Sequence, residues 1–148
     1  GSIPPPLRWV SRGRRGPEVE GQMLANGIDV VEIRRMARVL ERHGERFLER
    51  IFTPRELSHL RREPAEVAAH FAAKEAVAKT LGVGLRLLSP VGICWHEVEI
   101  LNTPSGRPII VLNGYAETLA RSQQLTEWAV SLTHDGGQAI ASVVAAGR

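Results

Sequence analysis

The hydrophobic positions of this 148-residue chain change period as it runs. From Leu24 to Ile33, "LANGIDVVEI" is apolar and β-branched, which predicts a strand. In "RRMARVLERHG", Met36, Val39 and Leu40 recur at helical spacing and Gly44 supplies a stop. "ERFLERIF" follows as a short second helix. "TPRELSHLRRE" opens with a capping box, with Thr53 as N-cap, Pro54 at the first helical position and Glu56 at the third. Pro64 begins the longest helix, "PAEVAAHFAAKEAVAKTLG", which closes at Gly82 and carries Val67, Phe71, Ala78 and Leu81 as its core stripe. After "GVGLRLLSP" the period becomes two. "ICWHEVEIL" and "RPIIVLN" are strands joined by "NTPSG", "GYAETLARSQQL" is a helix, and "EWAVSLTH" and "QAIASVVAA" form a hairpin around "DGG". Helices in the first half and strands in the second predict an α+β fold, with helices packed on an antiparallel sheet.

Residues 1–22 do not share this patterning. They hold a Pro-Pro-Pro run and several arginines, and read as an irregular N-terminal extension that begins with a Gly1-Ser2 cloning remnant. Met23 looks like a natural start, so the expected domain is 23–148, long enough for one real core.

Composition narrows the function. Hydrophobic residues at 43% and charged residues at 24% are ordinary for a globular protein, and no window approaches the roughly 18 apolar residues of a membrane span. The single cysteine, Cys94, excludes an internal disulfide and a Cys-based zinc site; it suits a reducing compartment, the cytoplasm, and reads as a small hydrophobe. A net charge of +3 suggests an anionic partner. Nine arginines between Arg34 and Arg62 alternate with glutamates, as on a solvated helix face with i,i+3 and i,i+4 pairs. Arg34, Arg35, Arg38 and Arg42 have fewer matched acids and form a basic surface. Aromatic residues make up only 5%, which argues against a stacking surface for nucleic acid.

Two scarcities point to chemistry. Lys74 and Lys79 are the only lysines, and Asp29 and Asp135 the only aspartates. Phe71, Glu75 and Lys79 share one helix face with Ala72 and Ala76 beside them. Spacing alone makes Glu75 and Lys79 a surface ion pair worth about 0.3–0.5 kcal/mol. The small neighbours, which admit a ligand or another backbone, and lysine in a chain that otherwise uses arginine favour a phosphate site instead. Lysine is a compact charge that can reach a phosphate oxygen beside a metal, and two of them around one carboxylate suit a pyrophosphate carrying Mg²⁺. Asp29 is a candidate second carboxylate, or a turn residue. His134 closes a strand, where a lone histidine is usually structural, and Asp135 also fits a type I′ turn. The other histidines show no ligand spacing.

Together these segments resemble the holo-acyl-carrier-protein synthases, the short bacterial class of 4′-phosphopantetheinyl transferases. The likeness runs from about Asn26 to Ala145 through "GIDVVEI", "RFLERIFTPREL", "FAAKEAVAKTLGVG", "EVEI" with "PSGRP", and "VSLTHDGGQAIASVV". It implies transfer of phosphopantetheine from coenzyme A to a serine of apo acyl carrier protein. It places Mg²⁺ on Asp29 and Glu75, and the coenzyme A phosphates on Lys74, Lys79 and His134. Gly82, Gly84 and Arg107 would also contact coenzyme A. Glu75, directly or through a metal-bound water, would be the base, and Asp135 a further metal ligand or a support for His134. A trimer with active sites between subunits is expected, and the helix after the first strand would dock the carrier through Arg34, Arg35, Arg38, Arg42 and Arg46. Three features depart from the family pattern: His70 replaces a basic residue, Gln138 an aromatic one, and the extension has no counterpart. Two other readings compete. One is a non-catalytic basic module that docks an acidic protein or nucleic acid. The other is a transferase of this fold that serves a polyketide or peptide-synthetase carrier.

Overall fold

The computed structural model of the protein describes residues 21–85 and 92–148, so the expected extension lies outside the described residues up to residue 20, as do residues 86–90 of "GVGLRLLSP". Strand β1 (Met23–Glu32) pairs antiparallel with β5 (Gln138–Gly147), and β5 pairs with β4 (Glu127–Asp135). These three strands form a sheet in the order β1-β5-β4, while β2 (Val98–Asn102) and β3 (Pro108–Leu112) form a separate antiparallel pair. The β4–β5 hairpin turns at Gly136 and Gly137, both at positive φ (57° and 79°), as a two-residue primed turn requires.

Helix α1 (Ile33–Ile51) breaks at Gly44, whose φ of 51° and ψ of −130° separate two helical pieces, as the stop signal predicts. Thr53 caps the short α2 (Pro54–Leu57) through the expected capping box with Glu56. Helix α3 (Pro64–Leu81) ends at Gly82 in the left-handed conformation (φ 79°, ψ 20°). The core stripe expected on it is too narrow. Val67, Ala78 and Leu81 are buried, but so are Ala68, Ala69, Ala72, Ala73, Ala76, Val77, Lys74 and Thr80, while Phe71 is only half-buried. The helix runs through the middle of the fold, against β1 and β5 on one side and α1 and β2 on others, and its alanines let those elements close around it.

The strand expected over "ICWHEVEIL" begins late. Trp95–Glu97 is a 3₁₀ turn closed by Glu97 N–H donating to the Cys94 carbonyl, and β2 starts at Val98. The turn buries Trp95 against Phe71, with ring centroids 4.9 Å apart, and aims Glu97 at the start of α4 (Gly114–Ser122), where it accepts from Ala116 N–H. Packing and a helix cap outweigh the period-two pattern here.

The three-stranded sheet has two unlike faces. Ala139, Ala141, Val143 and Ala145 of β5 point inward onto α3 and are fully buried. The opposite face leaves Leu24, Ile28, Val30 and Val144 exposed at 44–58%.

Candidate active site

The site forms where β1 crosses α3 unusually closely. A side chain on Gly27 would place its Cβ 2.3 Å from the Ala76 carbonyl oxygen and 2.6 Å from Thr80 Oγ1, so only glycine permits this crossing. The approach that the alanines allow is thus that of a neighbouring backbone. Two residues on, Asp29 lies on the same side of β1 as Gly27. Lys79 Nζ donates to Asp29 Oδ1 at 2.7 Å and to the Ile28 carbonyl at 3.1 Å. Lys79 therefore pairs with Asp29 and not with Glu75, its i−4 neighbour. Its side chain remains 48% exposed, so it can exchange this partner for another anion.

Glu75 is one turn earlier on α3. Burial pushes its carboxyl above the ordinary glutamate value, the Asp29 charge pushes the same way, and Lys79 opposes both. Two carboxylates near enough to repel one another, with one ammonium acting on both, suit a hard cation with oxygen ligands. Among the described residues no three His, Cys, Asp or Glu side chains gather as a metal cluster. Mg²⁺ fits this donor set, since it takes one or two carboxylates and draws its remaining ligands from phosphate and water.

Lys74 is placed elsewhere, and the two-lysine cradle is corrected. Its side chain is fully buried, and Nζ donates to Glu56 Oε1 at 2.6 Å. Helical geometry explains the separation: five residues rotate by roughly 140° about the axis, so Lys74 and Lys79 cannot share a face.

The remaining candidates spread around this centre. His134 lies on β4, exposed. It stands two strands across from Asp29 and two residues along, about 12 Å away on ordinary strand spacings. It lines an open cavity of about 320 Å³ with Arg61, Glu66, His70, Leu132 and Thr133. Sequence reasoning did not pick out Arg61 there; its place follows from the turn between α2 and α3, which has no periodic signal. His70 is 8% exposed, and burial with the Lys74 charge lowers it to about 4, so it is neutral at pH 7. Asp135 is exposed at the mouth of the hairpin opposite Gln138, and strand alternation points it away from His134. Gly82 and Gly84 follow the end of α3, where Gly82 serves as the C-cap. Arg107 is exposed in the β2–β3 turn, its N–H donating to Thr103 Oγ1.

Arg34, Arg35, Arg38, Arg42 and Arg46 are all exposed along α1. Among the described residues none of them makes an ion pair; the glutamate of this helix that does, Glu45, meets Arg62 at 3.3 Å. The intrahelical pairing expected on α1 is therefore absent. Arg35, Arg38, Arg42 and His43 border an open cleft of about 660 Å³.

The α+β chain brings a carboxylate of its first strand to a lysine of its central helix, with a glutamate one turn away, a set that suits an anionic phosphate group and a divalent cation. The signature of the 4′-phosphopantetheinyl transferase superfamily spans residues 25–143. The chain belongs to that superfamily. It is 41% identical over 127 residues to the holo-[acyl-carrier-protein] synthase of Herpetosiphon aurantiacus, covering 84% of this chain and 100% of that one. It is 44% identical over 128 residues to the synthase of Desulforudis audaxviator, covering 84% and 94%. Among solved structures it resembles the Helicobacter pylori holo-[acyl-carrier-protein] synthase in complex with coenzyme A. That likeness has a TM-score of 0.69 and 31% identity, over 81% of this chain and 98% of that one.

Proposed function

We propose that the protein is a holo-acyl-carrier-protein synthase, which moves the 4′-phosphopantetheine group of coenzyme A onto a serine of apo acyl carrier protein. The observation that carries this reading is the meeting of Asp29, Glu75 and Lys79 at the β1–α3 crossing, three motif residues from segments far apart in sequence. The names of the relatives and the coenzyme A bound to the H. pylori enzyme support the substrate assignment.

The serine oxygen forms a bond to the phosphorus that carries pantetheine. The bridging P–O bond breaks and leaves its electron pair on adenosine 3′,5′-bisphosphate. Glu75, directly or through a water, takes the serine proton. Lys79 leaves Asp29 for a diphosphate oxygen and steadies charge on the leaving group. Asp29 and Glu75 would hold Mg²⁺, which would supply charge neutralisation of the diphosphate. His134 and Arg61 border the cavity suited to the nucleotide end; neutral His70 adds no charge there. The unpaired arginines of α1 dock the acidic carrier. The exposed aliphatic face of Leu24, Ile28, Val30 and Val144 supports assembly into a trimer, in which Arg107 can reach a neighbour's coenzyme A.

Mass spectrometry of an apo carrier incubated with coenzyme A and Mg²⁺ tests this reading. A phosphopantetheine mass gain that disappears with chelator is expected. No gain on fatty-acid, polyketide or peptide-synthetase carriers would contradict it.

A further inference from the structure

The expected phosphate ligand Lys74 is the most thoroughly buried charge in the described structure, and its surroundings suggest a different task. Glu56 Oε1 accepts from Lys74 Nζ at 2.6 Å and from Thr53 N–H at 3.0 Å, while Oε2 accepts from Ile100 N–H at 3.1 Å. Thr53 Oγ1 donates to Glu99 Oε2 at 2.7 Å, and Glu99 meets the Arg55 guanidinium at 3.6 Å near the surface. The ammonium also sits over the Phe52 ring, 5.0 Å from its centroid. One lysine thus joins α3 to the capping box of α2 and to strand β2.

Helix α3 needs such a joint. Its packed surface is largely alanine, namely Ala68, Ala69, Ala72, Ala73 and Ala76. Methyl groups make shallow ridges, which fix the axial position and rotation of a helix poorly. A buried ion pair adds little net stability, but it is directional and penalises every register in which it is broken. Glu75 lies between the two points at which α3 is held. Lys74 before it is tied to Glu56, and the Ala76 carbonyl after it abuts Gly27.

We propose that Lys74 is a positioning residue: through Glu56 it sets the register of α3 and so aims the Glu75 carboxylate at Asp29, without touching substrate. This rests on the transfer site described above. The test uses Lys74→Met, Glu56→Gln and the double variant, read by melting temperature, by steady-state kinetics with coenzyme A, and by Mn²⁺ titration followed by electron paramagnetic resonance. Each single change strands a buried polar partner and should lower the melting temperature by about 10 °C. The double variant should recover much of that loss. In all three, kcat and Mn²⁺ affinity should stay about 10- to 100-fold low, with the KM for coenzyme A little changed. Recovery of kcat together with melting temperature in the double variant would overturn the proposal. So would a raised KM in Lys74→Met alone with Glu56→Gln at wild-type turnover, which is the behaviour of a phosphate ligand. Failure of the wild-type chain to bind Mn²⁺ would count against the metal reading only, since the kinetic comparison decides Lys74 by itself.

Discussion

The two lysines of this chain make similar bonds in opposite settings. Lys74 meets Glu56 at 2.6 Å with neither side chain more than 2% exposed, whereas Lys79 meets Asp29 at 2.7 Å with its own side chain half in solvent. Distance does not separate them, but surroundings do. A fully enclosed pair has no access to an incoming anion, and breaking it leaves a buried charge. An open pair is worth little in itself, so its lysine can trade a carboxylate for a phosphate at small loss. On the proposed reading, the region around α2 fixes the position of α3 and the crossing with β1 carries the chemistry.

The largest effect expected from disturbing this contrast is on Glu75. Glu75→Gln should lower transfer by about 10²- to 10⁴-fold, the usual contribution of a positioned base. It should also raise the melting temperature of the metal-free chain. The carboxyl is pushed up in the fold, so its ionised form opposes folding at neutral pH, and the amide removes that opposition. A drop in both activity and stability would argue against the site's electrostatics.

Gly27→Ala comes next. It forces a methyl onto a backbone carbonyl that cannot swing aside, and should cost about 1–3 kcal/mol by chemical denaturation. Mn²⁺ affinity should fall with it, as Asp29 is carried away from Glu75. Unchanged affinity would mean that the close crossing does not set the site.

A pH titration of stability probes the enclosed region. His70 is lowered from 6.5 to about 4 by burial and by Lys74, so the unfolded chain binds the proton more readily. Its contribution is fully present above 6.5 and is lost as pH falls toward 4, up to about 3 kcal/mol in all. His70→Gln should flatten that part of the curve, and an unaltered slope would show that His70 is not the sensor. The smallest effect is expected on α1: Arg38→Glu should slow capture of the carrier severalfold at low salt, and the deficit should shrink as salt rises.

Much of this was readable from the sequence, for local reasons. The capping box at Thr53, the break at Gly44 and the Gly82 stop depend on neighbouring residues, and each formed as read. Scarcity drew attention to Lys74, Lys79 and Asp29, and the fold gives each a partner of opposite charge. What it could not give was direction. Glu56 was legible as a helix cap, but its second task, holding Lys74 from 18 residues away, depends on how α2 folds onto α3. The 140° between the lysines was available from helix geometry, and would have separated their roles. The late start of β2 and the place of Arg61 beside His134 rest on tertiary packing, which leaves no period in the sequence.

The same scarcity makes the central contrast directly measurable. With lysine labelled at its ε-carbon by ¹³C, the folded chain should give two lysine side-chain signals, one from a buried ammonium and one from an open one. On addition of coenzyme A and Mg²⁺, the Lys79 signal should shift as it leaves Asp29 for phosphate, while the Lys74 signal stays in place. A Lys74 signal that moves while that of Lys79 does not would reverse their assigned roles and contradict the account.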